Sequence, residues 1–172
     1  PGKLVQIAAV YGDLSPKIYE RMAEGAEYHL VDVTPAQLAN VARKLPADHQ
    51  VRMHVQDSTA LQFKDGSFDT TLIFFLPHEQ PDDIKRQTFA EALRITKPGG
   101  RILFVEFHKP AKWHPWFYWY RFFLMVFEPF ALAMWRSDLR DWFPADAKLR
   151  QTHKETLFGG LYQVVEFAVD AE

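Results

Sequence analysis

The chain has no cysteine among its 172 residues. That excludes disulfides, thiolate nucleophiles and cysteine-ligated zinc or iron–sulfur sites, and it agrees with a cytoplasmic protein. Neither charge is in excess. The 20 Lys and Arg against 22 Asp and Glu leave a formal net charge of −2, so there is no broad basic field for nucleic acid. A Gly-x-x-x-x-Gly-Lys phosphate loop and a Gly-x-Ser-x-Gly nucleophile turn are both missing, which sets aside nucleotide hydrolysis and acyl transfer by those routes. The uninterrupted apolar runs are shorter than the ~20 residues a membrane span requires. The chain opens on Pro1 rather than Met, almost directly before a strand-like segment. It is therefore expected to lack an N-terminal piece of a longer protein.

The length is that of a single domain, taken here as residues 1–172, and a 48% hydrophobic composition is enough for a real core. Strand-like and helix-like stretches alternate. LVQIAAV (4–10), YHLVDV (28–33), VRMHVQ (51–56), SFDTTLIFFL (67–76) and RILFVEF (101–107) read as strands. Between them, Ser15-Pro16 starts a helix that Gly25 closes, and Thr34-Pro35-Ala36-Gln37 starts another that runs to about Lys44 as a capping box. Asp82 or Asp83 caps a third helix through Phe89, Ala92 and Leu93. Lys97-Pro98-Gly99-Gly100 is a tight turn. TLFGGLYQVVEFAV (156–169) reads as a Gly-Gly hairpin. The expected fold is α/β, a mostly parallel sheet with right-handed crossovers that ends in an antiparallel hairpin.

Aromatic residues make up 15% of the chain and concentrate near position 120. The stretch WHPWFYWYRFFLMVFEPFALAMW (113–135) lies within an insert at about 111–143. It is either a pair of core-packing helices, or a lid lining an apolar substrate pocket, or an interfacial membrane anchor. Lys109, Lys112, Arg121, Arg136 and Arg140 surround it and suit anionic lipid.

In an open α/β sheet, ligands bind at the carboxyl ends of the strands. Three features meet there. The loop from Val10 to Ser15, with Tyr11 and Gly12, leads into a helix start whose N–H groups favour an anionic group. Asp32 ends the second strand and can accept both ribose hydroxyls of an adenosine. Asp57, after Gln56 and before Ser58, ends the third and can accept an adenine amino group. Beyond the fourth strand, His78 and Glu79 are either ligands for an ion such as manganese or part of a solvated loop. His108, near Glu106, is either a general base or a polar residue leaving the sheet.

ALRITKPGGRILFVEFHKP (92–110) and LFGGLYQVV (157–165) resemble the late sheet motif and terminal hairpin of class I S-adenosylmethionine-dependent methyltransferases, specifically the ubiquinone/menaquinone methyltransferases. The resemblance implies a Rossmann-like, seven-stranded sheet. It implies Asp32 on the ribose, Asp57 on the adenine and Gly12 beside the methionine part. Ala8, Val10, Val33, Ser58 and Phe74 complete the expected cofactor contacts. The chain departs from that family in strand one, where Gln6 replaces an acid and Ala8 and Val10 replace glycines. VYGDLSPK (10–17), EPFALAMW (128–135) and FGGLYQ (158–163) resemble the rhodoquinone-biosynthesis branch, methyltransferase relatives that replace a ring methoxy group of ubiquinone by an amino group. That branch implies S-adenosylmethionine as amino donor, manganese, and a lipophilic ubiquinone-type quinone met at the cytoplasmic face of the membrane. Tyr11, Gln6, His78 and His108 are then the expected catalytic residues, with His78 and Glu79 on the metal. Methyl transfer to a quinol or lipophilic phenol, and a non-catalytic cofactor- or lipid-binding domain, are the alternatives. The oligomeric state is left open.

Overall fold

The computed structural model describes residues 2–9, 12–128 and 130–171. Seven strands form one sheet: β1 (Lys3–Ile7), β2 (Glu27–Asp32), β3 (Arg52–Val55), β4 (Phe68–Phe74), β5 (Thr96–Phe107), β6 (Leu149–Leu157) and β7 (Tyr162–Val169). Their order is β3-β2-β1-β4-β5-β7-β6. β1 to β5 run parallel, β7 pairs antiparallel with β5, and β6 with β7. The chain starts in the middle, winds outward through β2 and β3, then returns to the other side of β1. The crossovers diverge between β1 and β4, and a crevice opens at their carboxyl ends.

Alternation along the strands divides the core into two faces. Tyr28 and Leu30 of β2 pack with Leu38 and Val41 of helix α2 (Pro35–Ala42), and Ile18 and Tyr19 of helix α1 (Leu14–Tyr19) join them. On the other face Val5, Ile7, Ile73 and Ile102 pack under Phe89, Ala92 and Ile95 of helix α3 (Asp82–Ile95). There Phe104 stacks on Phe89 at 4.7 Å, with Phe143 and Phe167 closing around them.

The aromatic segment forms helices α4 (Phe117–Phe127) and α5 (Ala131–Met134). Lys85 of α3 anchors it. Its ammonium is fully buried, donates to the Phe130 carbonyl at 3.1 Å and to Asp82 at 3.2 Å, and sits over the Trp142 ring.

Several local expectations shift. The first strand stops at Ile7 rather than Val10, because Ala8 turns to φ +75 while its N–H pairs with the Val31 carbonyl. The first helix begins at Leu14 and ends at Tyr19, well before Gly25. Ser15 does not cap it; its hydroxyl turns inward to Gln6. Thr34 stands at the N-cap of α2, but its side chain makes no capping bond, and its N–H, which Gln37 would accept in a capping box, is donated to Asp32 instead. Pro81, not Asp82 or Asp83, precedes α3, and the two aspartates sit in its first turn, where the helix dipole favours them. The hairpin forms around Phe158–Gly160, but β6 starts at Leu149, seven residues before Thr156. As an edge strand exposed along most of its length, β6 carries polar residues on both faces and gives no alternating signal.

Ala8 is a non-glycine residue in the left-handed region, which costs roughly 1–2 kcal/mol. Glycine's larger unfolded freedom returns about 0.5–1 kcal/mol of that. Ala8→Gly is therefore expected to raise stability by roughly 0.5–1 kcal/mol. A melting temperature about 1–4 °C higher checks this; an unchanged or lower one argues against strain at this position.

Candidate active site

A cavity of about 380 Å³ opens where the ends of β1, β2, β3 and β4 diverge. Asp32 forms one wall. The chain leaves β1 and β2 side by side, so the Asp32 carboxylate reaches both exits: Oδ2 accepts the Ala9 N–H at 2.8 Å and Oδ1 the Thr34 N–H at 2.7 Å. Each oxygen keeps a second lone pair, and the fixed carboxylate can accept two vicinal hydroxyls. Val33 beside it is an exposed apolar side chain in the same wall.

Asp57, just after the neighbouring strand β3, lines the same cavity. Its Oδ1 accepts the N–H and hydroxyl of Thr59, both at 2.8 Å, which fixes the carboxylate and leaves Oδ2 for a donor. Ser58 lines the cavity too, but its hydroxyl is engaged elsewhere. It lies 2.9 Å from the Thr88 hydroxyl, and the Gln80 amide donates to both. The other end of that amide, Gln80 Oε1, is buried at the cavity wall and has no partner among the described residues. An unpaired buried acceptor costs free energy. The wall thus offers two carboxylates to a ligand rich in hydroxyl and amino donors, and an adenosine is such a ligand.

Gln6 stands behind this wall and not in it. It is fully buried; its amide donates to the Ala8 carbonyl at 2.8 Å, and its oxygen accepts the Ser15 and Tyr28 hydroxyls. Burial pushes the Tyr28 phenol up to about 12, so it remains a donor. Gln6 therefore ties β1, the loop after it and α1 together. Gly12 is exposed at φ +115, a conformation that requires glycine, and its carbonyl accepts Lys44. It is not among the residues that line the cavity. Val10 and Tyr11 lie outside the described residues. Ala8 lines the cavity as expected. Phe74 does not; Phe75 takes its place, because φ +48 there turns the chain at the end of β4.

The turn Pro77–Glu79 after β4 brings His78 against the end of β5. Its Nδ1 lies 3.0 and 3.2 Å from the two oxygens of Glu106, whose side chain has no exposed surface. The same carboxylate accepts the His78 and Phe107 backbone N–H groups. A carboxylate at Nδ1 puts the imidazole proton on that nitrogen and leaves Nε2 basic. Nε2 is 3.9 Å from Glu79, which lines the cavity. Phe107 packs on the imidazole at 4.3 Å and Phe75 lies edge-on to it at 6.0 Å, with Tyr162 packed against both phenylalanines. Burial alone would lower the His78 pKa; the hydrogen bond and charge of Glu106, helped by Glu79 and Glu128, outweigh it and hold it raised. The Glu79 carboxyl is also raised, chiefly by burial, with His78 opposing and Glu128, Glu106 and Asp32 reinforcing.

This arrangement does not fit the expected manganese site. One His78 nitrogen is committed to Glu106, and among the described residues no three His, Asp or Glu side chains are grouped to hold a metal ion. His108 is also placed differently from a free base. Its Nδ1 is 2.9 Å from the Gly160 carbonyl, and it fastens the hairpin loop to the end of β5.

Residues 5–100, more than half of the chain, match the profile of a methyltransferase domain. The chain belongs to that family. A demethylmenaquinone methyltransferase of Thermus thermophilus is 37% identical over 113 residues, 65% of this chain and 50% of that protein. The ubiquinone/menaquinone biosynthesis C-methyltransferase UbiE of Idiomarina loihiensis is 35% identical over 113 residues, 63% of this chain and 44% of that protein. The chain thus spans about half the length of these relatives. In three dimensions it is similar to a SAM-dependent methyltransferase of Methanosarcina mazei, with a TM-score of 0.70 at 19% identity over 99% of this chain and 93% of that one. The seven-stranded sheet with its antiparallel terminal hairpin is the class I methyltransferase fold. Among the described residues, no helix is long and apolar enough to cross a membrane.

Within this methyltransferase domain, sequence reasoning missed Glu106, Gln80 and Phe75. Glu106 carried a usable signal. It continues the buried face of β5 after Ile102 and Phe104, and a carboxylate at a core position needs a partner. Gln80 and Phe75 carried none, because their roles depend on a turn geometry and on residues far away in the chain.

Proposed function

We propose that this chain binds S-adenosylmethionine in the cavity at the ends of β1 to β4 and transfers its methyl group to a ring carbon of a lipophilic quinol. The observation that carries the reading is the doubly anchored Asp32 carboxylate and the fixed Asp57 carboxylate lining one cavity at the strand ends. Asp32 would hold the ribose hydroxyls, Val33 would pack on the adenine, and Asp57 would take its amino group. The relatives named for quinone methylation support the choice of acceptor.

When bound, S-adenosylmethionine supplies an electrophilic methyl group on a sulfonium. The chain's residues prepare the acceptor. His78 Nε2 takes the proton of a ring hydroxyl, which makes the ortho carbon nucleophilic; that carbon gains the methyl as the sulfonium's S–CH3 bond breaks, and its own hydrogen then leaves as a proton to restore the aromatic ring. Glu106 keeps the imidazole in the required tautomer and stabilises the imidazolium that forms. Phe75, Phe107 and Tyr162 keep water from this region and offer aromatic faces to a quinol ring.

A second reading is amination: the cofactor's amine would displace a ring methoxy group as methanol, the quinone ring would take two electrons as the N–Cα bond becomes an imine with loss of the Cα proton, and water would split that imine to leave the amino group on the ring. Gln6 favours it. A carboxylate at that place would stabilise an ammonium, and a neutral amide does not. Gln6 would act from behind the loop as a positioning residue. Manganese forms no part of either reading.

Labelled cofactor separates the two. With the methyl carbon labelled, methyl transfer puts the label in the quinone product; with the amino nitrogen labelled, amination does. Mass analysis showing neither label in any quinol or quinone product, with the cofactor bound, removes both.

A further inference from the structure

α4 is apolar around its circumference yet buries a single stripe. Phe117 and Leu124 are buried and Tyr120 partly so, a spacing of i, i+3, i+7 that packs on Phe107 and Trp135. Seven of the other eight positions are apolar or aromatic side chains left 41–71% exposed, among them Trp119, Phe122, Phe123 and Phe127; the eighth is Arg121. Trp113 and Trp116, just before the helix, are also exposed. A helix apolar on all sides is normally buried, and a patch of this extent marks a surface that meets another apolar phase.

The charge around it is of one sign. Residues 108–137 hold four of the 20 Lys and Arg but one of the 22 Asp and Glu, a local charge of +3 in a chain of net charge −2. All four of these cations, Lys109, Lys112, Arg121 and Arg136, line one groove of about 360 Å³ beside Tyr118 and Trp135. Two copies meeting through this face would set eight cations against each other. An anionic lipid surface neutralises them and accepts the aromatic side chains at once. The helix has 11 residues, about 16 Å, roughly half of a hydrocarbon core, so it can lie in the interface but not cross it.

We propose that α4 and the adjoining basic groove dock this chain on a phospholipid bilayer with anionic headgroups. The exposed aromatic side chains enter the headgroup–acyl boundary, and the four cations meet lipid phosphates. The buried stripe gives this docking a consequence for the site. Tyr120 packs on Phe107, which packs on His78, so the helix that would lie on the lipid is also the outer wall of the site. An acceptor with a long apolar tail would reach His78 without leaving the bilayer. The docking itself goes beyond the reaction proposed above and requires neither cofactor nor turnover.

Flotation of the chain with vesicles tests it. With vesicles containing roughly 30% phosphatidylglycerol the chain is expected to float, and its tryptophan emission to shift to the blue. With phosphatidylcholine alone, binding should weaken at least about tenfold. The triple variant Trp119→Ser, Phe123→Ser, Phe127→Ser should bind anionic vesicles at least about tenfold more weakly. So should the double variant Lys112→Glu, Arg121→Glu. All these positions are exposed, so both variants should keep the wild-type melting temperature. Titration with S-adenosylhomocysteine should also be unchanged, which separates failure of docking from failure of the cofactor reading. The proposal is overturned if wild type does not float with anionic vesicles, or if the variants float as well as wild type. It is also overturned if sedimentation shows a dimer that the triple variant dissolves, because a second copy then covers the face.

Discussion

Asp32→Ala is expected to weaken binding of S-adenosylmethionine by about 1.5–3 kcal/mol, roughly tenfold to 150-fold. The substitution removes a charged acceptor for two ligand hydroxyls. It also releases the Ala9 and Thr34 N–H groups that the carboxylate now holds at 2.8 and 2.7 Å, so the walls on both sides of the cavity lose a fixed point. Asp32→Asn should fall between alanine and wild type. It keeps one acceptor oxygen but turns the other into a donor, which faces the N–H it replaces. Calorimetry with S-adenosylhomocysteine measures all three proteins. Equal affinity for wild type and Asp32→Ala would remove the cofactor from this cavity.

The second large effect is expected at His78. His78→Asn keeps an N–H that can reach Glu106, so the buried carboxylate is not stranded, but it removes the basic Nε2. Turnover should fall by about 10²–10⁴, with cofactor affinity unchanged within about twofold. The pH profile sharpens the test. A general base works when neutral, so kcat/KM should rise with pH and level off above the His78 pKa, which lies above the ordinary 6.5. Glu106→Gln removes the largest influence that raises it. The limb should then move to lower pH while the maximum rate drops, because the imidazolium formed in the reaction is no longer stabilised. The same shift acts on stability. A raised imidazole pKa contributes its full stabilisation below 6.5 and loses it as pH rises through the folded value, and His78→Asn should flatten that slope. Full turnover in His78→Asn, or a limb that Glu106→Gln does not move, would show that the pair only holds the end of β5 to the turn after β4.

The parts of this protein legible in its sequence are those fixed by short stretches of chain. Runs such as YHLVDV and RILFVEF can satisfy their backbone groups and bury both faces only as interior strands, and the intervening helices force them parallel. Asp32 was legible for the same reason. Its role follows from standing at the last position of a strand, two residues before Thr34, whose N–H it accepts. Ser15 was misread as a cap because the same local pattern serves a second use once Gln6 lies beneath it.

Tertiary structure decided what depends on partners distant in sequence. His78 and Glu106 are 28 residues apart, and Ser58 and Thr88 are 30. No local pattern selects those partners, because the register of β4 against β5 and the placement of α3 bring them together. The hydrophobic character of residues 113–135 suits a core as well as a surface. Met134 joins the core, but most of α4 stays exposed because Phe89, Phe104, Phe143 and Phe167 already occupy the space over β4, β5 and β7. A close-packed interior has no room for a second aromatic layer, so α4 keeps one stripe against the domain and leaves the rest outside.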